Sequence, residues 1–231
     1  MEYQTTGFRD PTPLTKWVVA LLYAEIAIAA GAIVSGMLEA NLLREIVSAG
    51  ATPDMKAAAA SNDLRQIVMG FAQAAAYGAA GVAILMWIYR ANWNARQLGA
   101  KGMRFTPGWA VGWFFVPFLN LWKPYEAMKE IWKASANPAN WQAESVPLLL
   151  HAWWFLWAGS AVYSQIAFRL YLKAQTIDEF IIANRATLIA DAAEIMTCIA
   201  AIMLIRRLHL MQMGHVETAV STPPRELAIS R

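Results

Sequence analysis

Four apolar blocks constrain this chain more than any other feature. They run roughly over 17–37, 64–89, 146–172 and 186–205. A helix needs about 20 residues, at about 1.5 Å each, to cross the ~30 Å hydrocarbon core of a bilayer. Apolar residues make up 58% of the chain, above the roughly 45–50% of soluble domains, and the excess lies in these blocks. The sequence therefore predicts an all-α polytopic membrane bundle with four transmembrane helices. Residues 16–213 read as a single membrane domain. A polar N-terminal segment, 1–15, precedes it. A disordered tail, 214–231, follows, with Pro223-Pro224 inside it. The start lacks the basic region and small-residue cleavage site of a signal peptide, so the first span is expected to be retained.

Local signals refine this outline. Thr12-Pro13 or Thr15 can open the first helix. Ala27, Gly31 and Ser35 on span one, and Gly70, Ala74 and Gly78 on span two, recur at every fourth position. Such small-residue ridges let helices approach closely, so spans one and two are expected to be direct neighbours. Gly50 and Pro53 break the first helix, and Ser61, Asn62 or Asp63 is expected to cap the second. Ser145 is expected to cap span three. Thr176 followed by Glu179 reads as a capping box, and no Gly or Pro interrupts 172–213, which predicts one long helix there.

The stretch from Thr106 to Ser135 behaves differently. Thr106 can cap a short helix with Pro107 at its first position. About 14 mostly apolar residues follow, too few for a full span, and Pro117 removes a backbone donor within them. Residues 106–121 are therefore expected to be a Pro-broken re-entrant or interfacial segment, in which Asn120 either caps freed backbone groups, the leading reading, or exposes its amide to a ligand. Residues 123–135 follow as an amphipathic surface helix. Tyr125, Met128, Ile131 and Trp132 share one face, and Lys123, Glu126, Lys129, Glu130 and Lys133 lie mostly on the other. Charge bias agrees. With four spans and cytoplasmic termini, 13 of the 19 Lys and Arg fall inside and 6 outside, whereas a fifth crossing would divide them 10 and 9. The basic residues thus read as topology signals rather than a nucleic-acid surface.

The same stretch resembles the signature of a bacterial membrane family known as domain of unknown function 4328. The residues that carry the resemblance are Pro107, Gly108 and Trp109, then Pro117, Phe118, Asn120, Pro124 and Tyr125, then Ile131 and Trp132. The flanking hydrophobic helices extend it over about 15–210. The resemblance implies a multi-span bacterial membrane protein and no activity.

Several residues are candidates for chemistry. Glu25, Asp191 and Glu194 are acids within spans, where such groups are expensive and face a bundle interior or a water-filled cavity. At about 1.5 Å per residue, Glu25 lies roughly 13 Å beyond Lys16, and Glu194 roughly 18 Å from Arg206. The two carboxylates therefore reach similar depth if those basic residues share a side. They read either as a proton or cation site between spans one and four, or as groups whose hydrogen bonds fix packing. Arg169 is placed to pair with Asp191. His151 and His209 would suit a haem or a metal if their helix ends meet. The Trp residues could stack on a quinone or a lipid headgroup, or form an ordinary interfacial belt. No dedicated metal site is expected, since the single cysteine, Cys198, rules out a disulfide within the chain and any CxxC motif. No GxSxG, GxGxxG or HExxH occurs, so an enzyme is the weaker class. The leading expectation is a non-enzymatic interaction or accessory subunit of the bacterial inner membrane, partnered by lipid and by another membrane protein or a second copy. A small transporter or channel using the buried acids comes next, and a haem- or quinone-binding redox protein third.

Overall fold

The structure is a computed structural model, and it describes residues 7–50 and 52–221, with side chains to Thr218. It is all helical, with no strand among the described residues. Six α-helices follow in order: α1 (Thr12–Ala49), α2 (Pro53–Gln97), α3 (Pro107–Gly112), α4 (Lys123–Ala136), α5 (Leu148–Lys173) and α6 (Ile177–Ser221). Short 3₁₀ turns stand at Trp113–Phe115, Leu119–Leu121 and Trp141–Ala143. Helices α1, α2 and α6 are long and apolar enough to cross a membrane. α5 has 26 residues, but its Trp, His, Gln and Arg lower its hydropathy.

Helix boundaries follow local chemistry. Asp10 accepts from the Thr12 amide at 2.8 Å and opens α1. Hydrogen bonds from Thr12, side chain and then backbone, hold this carboxyl below its ordinary range. α1 ends at Ala49, where Gly50 takes φ 76°. The connection between α1 and α2 is short, because α2 starts at Pro53. Thr52 Oγ1 accepts from Met55 N at 3.3 Å, Pro53 needs no donor partner at the first position, and the Ala57–Ala60 run is the best helix-forming sequence available. Ser61, Asn62 and Asp63 therefore lie within α2 instead of capping it. α5 starts at Leu148, just after Pro147, rather than at Val146. The capping box of α6 is formed. Glu179 N donates to Thr176 Oγ1 at 3.3 Å, and Glu179 Oε2 accepts from the amides of Gln175 at 2.7 Å and Thr176 at 3.0 Å. Those two backbone donors hold the exposed Glu179 carboxyl below its ordinary range. α6 continues through Gly214 to Ser221, so 214–221 are helical where a tail was expected, and 222–231 lie outside the described residues.

The single membrane domain expected for 16–213 divides, by its contacts, into two compact units. The span unit holds Trp17–Ala83 and His151–Met203; the loop unit holds Met1–Lys16, Ile84–Leu150 and Leu204–Arg231.

In the span unit the small-residue ridges do not meet as expected. Gly70, Ala74 and Gly78 are exposed, and a Cβ added at Gly70 or Gly78 would meet nothing within 4 Å. The close approach is instead made by Gly36 of α1, where an added Cβ would lie 2.8 Å from Leu188 Cδ2 of α6. On the other side of α6, Ala186 and Ala190 pack with Ala167 and Tyr163 of α5. Trp153 and Trp154 of α5 are buried, with ring centroids 5.9 Å apart, so these two are core rather than belt.

The loop unit is organised by buried polar groups. Asn94, fully buried, accepts from Arg9 N at 3.1 Å and donates to Arg9 O at 2.8 Å. Trp93 Nε1 donates to Gly7 O at 2.9 Å, so residues 7–9 are strapped along the end of α2. Arg96, counted above among the topology charges, donates through Nη2 to the carbonyls of Met103 and Phe105. α4 spans the expected residues, but its apolar face is covered by protein: Ala127, Ile131 and Ala134 are fully buried. Glu130 belongs to that face too. It is 4% exposed and accepts from the backbone amides of Arg104 and Phe105 at 2.9 and 3.0 Å.

Substituting Gly36 by Leu is expected to cost about 1–3 kcal/mol of stability in detergent, by overpacking against Leu188. Gly78→Leu should stay within about 0.5 kcal/mol, as judged by thermal or denaturant unfolding followed by circular dichroism.

Candidate functional site: an acid–thiol cluster in the span unit

Two polar groupings lie in the span unit, and they differ in how they are satisfied. The first surrounds Glu39 on α1. Its carboxylate accepts from Asn62 Nδ2 at 3.3 Å and Gln66 Nε2 at 3.1 Å on α2, and from Asn184 Nδ2 at 2.7 Å on α6. Asn184 Nδ2 also donates to Gly36 O at 3.1 Å. Arg65 completes the grouping, donating to Ser35 Oγ at 2.9 Å and Asn62 Oδ1 at 2.6 Å. The run EANLLR from Glu39 to Arg44 gave no sign of this role, because the partners of Glu39 come from two other helices. The one buried side-chain N or O atom without a hydrogen-bond partner among the described residues, Asn184 Oδ1, belongs to the same grouping.

The second grouping contains Glu25 and Glu194, two of the acids singled out in the sequence. They do come together, and Cys198 lies between them. The thiol is 3.5 Å from Glu25 Oε2 and 3.6 Å from Glu194 Oε1. One donor atom from each of the three residues lies within 4.8 Å of the others. Glu194 and Cys198 are four apart on α6, so they share a face, while Glu25 projects from α1. Sequence reasoning placed Cys198 in an apolar helix and missed its company; the i, i+4 spacing to Glu194 was the available signal. Asp191, one turn before Glu194, accepts from Gln73 Nε2 of α2 at 2.8 Å. Tyr77 lies one turn along α2 from Gln73. A line of polar side chains thus runs along facing surfaces of α1, α2 and α6.

The remaining candidates lie elsewhere. Arg169 is exposed, and no ion pair among the described residues includes it; Asp191 has Gln73 as its partner instead. His151 belongs to the span unit and His209 to the loop unit. His209 Nδ1 lies 3.5 Å from Thr15 Oγ1, which also accepts from Trp87 Nε1 at 3.0 Å. Burial pushes the His209 imidazole below its ordinary range, against the pull of the Asp10 carboxylate.

The signature residues belong to the loop unit. Thr106 Oγ1 accepts from Trp109 N at 3.3 Å, with Pro107 opening α3 as expected. Trp109 and Trp113 stack at 4.8 Å, and a Cβ on Gly112 would lie 3.3 Å from the Trp109 ring. Past Pro117 the chain makes a tight turn, with Leu119 N donating to Pro117 O at 2.7 Å. Phe118 at its centre has φ 62°, a strained γ-turn conformation, and is 79% exposed. The Asn120 amide group makes no hydrogen bond among the described residues, so the capping expected of it is not made; its backbone N–H donates to Val116 O at 2.9 Å. Pro124 and Trp132 are buried within α4, and Tyr125 lies under the Lys129 ammonium at 5.3 Å.

Residues 50–209 match the family model described as Domain of unknown function (DUF4328), the family the Pro-Gly-Trp stretch resembles. No curated protein and no solved structure matches the chain.

The contrast between the groupings is measurable. Glu39→Ala leaves three amide donors without their acceptor, at about 1–3 kcal/mol for each one that stays buried, and should lower unfolding stability by about 3 kcal/mol or more. Glu25→Gln loses only a long thiol contact, and a change under about 1 kcal/mol is expected in the same unfolding assay.

Proposed function

The chain belongs to the DUF4328 family, and on that premise we propose that it is a four-span integral membrane protein whose paired carboxylates, Glu25 and Glu194, carry a proton or a small cation within the bilayer. One observation carries this reading. Both acids lie on helices apolar enough to span, and among the described residues no Lys, Arg or His forms an ion pair with either of them. Carboxylates placed that way are costly to keep. A structural role would be expected to satisfy them with fixed donors, as Glu39 is satisfied. In this reading Glu25 and Glu194 exchange the proton or cation, and Asp191, Gln73 and Tyr77 continue the polar line.

The topology we propose is the one favoured by charge bias. α5, about 39 Å long at 1.5 Å per residue, is the fourth span. The segment 106–121 enters the interface without crossing, since α3 and its 3₁₀ turns are too short to span. Its exposed Trp109, Phe115, Phe118 and Trp122 suit the headgroup boundary. Both termini are cytoplasmic, and the membrane is the bacterial inner membrane.

A second reading, an accessory subunit that docks another membrane helix, is supported by the exposed Gly70, Ala74 and Gly78 ridge of α2. Small residues at that spacing permit close helix approach. It is tested by cross-linking from that ridge.

Reconstitution into liposomes loaded with a pH-sensitive dye tests the leading reading. An imposed cation or proton gradient should drive flux that Glu25→Gln and Glu194→Gln each reduce at least about tenfold, about 1.4 kcal/mol in barrier terms. Absence of flux through the unaltered protein would refute it. Topology is checked separately, in a Cys198→Ala background with single cysteines at the exposed positions Lys101 and Ala139. An impermeant thiol reagent should reach both only after spheroplasts are opened. Labelling of one alone from outside would mean that 106–121 crosses.

A further inference from the structure

We propose that Glu25, Glu194 and Cys198 form a site for one divalent transition-metal ion of the zinc class. The proposal rests on the reading of this cluster as an intramembrane cation site and names the cation.

The donor arrangement is the first argument. Three donor atoms from α1 and α6 lie within 4.8 Å of one another. A tetrahedral centre with a metal–sulfur bond of about 2.3 Å and metal–oxygen bonds of about 2.1 Å has a sulfur–oxygen edge of about 3.6 Å. The observed sulfur–oxygen separations are 3.5 and 3.6 Å, so neither carboxylate has to move relative to the thiol to share an ion with it. Water can complete the fourth position.

The second argument is independent of that spacing. Glu25 is 7% exposed and accepts no hydrogen bond from outside the cluster among the described residues. The other buried acids have donors: Glu39 takes three amide N–H groups, Asp191 takes Gln73, and Glu130 takes two backbone amides. Glu25 alone is aimed at a thiol and a second carboxylate. A cation supplies what such a carboxylate lacks.

The donor types select the ion. Magnesium and calcium prefer oxygen-only shells, and copper(I) prefers sulfur. One thiolate with two carboxylates suits zinc(II) or its soft relative cadmium(II). On binding, the Cys198 S–H bond breaks, a metal–sulfur bond forms, and the thiol proton leaves to solvent with any proton held by the carboxyls. No oxidation state changes.

The full chain, purified in mild detergent and stripped with a chelator, is titrated with cadmium(II) while the ultraviolet thiolate-to-cadmium charge-transfer band is followed. Cys198 is the chain's single cysteine, so the band reports that sulfur alone and the carboxylate variants decide. We expect saturation at one ion per chain, displacement by zinc(II), and proton release into weakly buffered solution. Glu25→Gln and Glu194→Gln should each weaken binding by at least the about 10–100-fold that even outer-shell changes cause. Glu45→Gln, at an exposed position of α1, should leave it unchanged. Circular dichroism and monodisperse elution show which variants are folded; proton release from the unaltered protein decides even if neither carboxylate variant folds. No band, no proton release, or unchanged affinity in a folded carboxylate variant overturns the proposal. The liposome assay is separate: flux that needs the carboxylates without a cadmium band refutes the metal site and leaves the transport reading, and a band without flux does the reverse.

Discussion

Glu39 is the point on which the span unit depends. A carboxylate buried among apolar helices must be satisfied by protein, because lipid offers no donor and the cost of an unmet group is several kcal/mol. Asn62, Gln66 and Asn184 meet that need from two other helices. Each of these bonds fixes a rotation and a depth as well as contributing energy. Apolar packing alone is nearly indifferent to helix rotation in lipid, where tails are as apolar as leucine. The Gly36–Leu188 approach follows from this. Asn184 reaches Gly36 O only if α1 and α6 come close there, and a side chain at position 36 would hold them apart.

The loop unit solves the same problem for irregular backbone. The turn at Met103–Phe105 has no ladder to join. Arg96 caps its carbonyls from α2, and Glu130 caps its amides from α4. Both are charged residues spent on backbone, and charge-assisted bonds of this kind are about twice as strong as neutral ones. Gln212 of α6 extends the scheme, donating to Ala91 O at 2.8 Å and to Ser135 Oγ at 2.9 Å.

What could be read in advance was whatever depends on neighbours in sequence. Three of the four apolar blocks, the Thr106–Pro107 start of α3 and the Thr176–Glu179 box all express short-range chemistry: the blocks lie in helices long and apolar enough to span, and both caps are formed. Helix rise also set Glu25 and Glu194 at comparable distances from Lys16 and Arg206, and the two carboxylates lie on either side of Cys198. Failures came where a partner outside the local window decides the outcome. Glu130 sits among solvent-type charges in sequence yet turns inward for two amides. Asn62 reads as a cap, yet the alanines before it let the helix run through and deliver its amide to Glu39. The ridge of Gly70, Ala74 and Gly78 has the right spacing for close packing, but spacing does not name a partner. Arg169 lost Asp191 to Gln73 for the same reason.

The strap of residues 7–9 has a consequence for biosynthesis. Gly7 and Arg9 are made before their partners, Trp93 and Asn94, which follow some 85 residues later. Thr15 waits longer still for His209, 194 residues on. Residues 7–9 therefore wait over some 85 residues of synthesis for their hydrogen-bond partners, and α1 is made before those partners are. Completion of the loop unit therefore waits until the chain has been made as far as α6. The final docking of the N-terminal strap reports that α2 has arrived, and the closing of His209 on Thr15 reports that α6 has followed it.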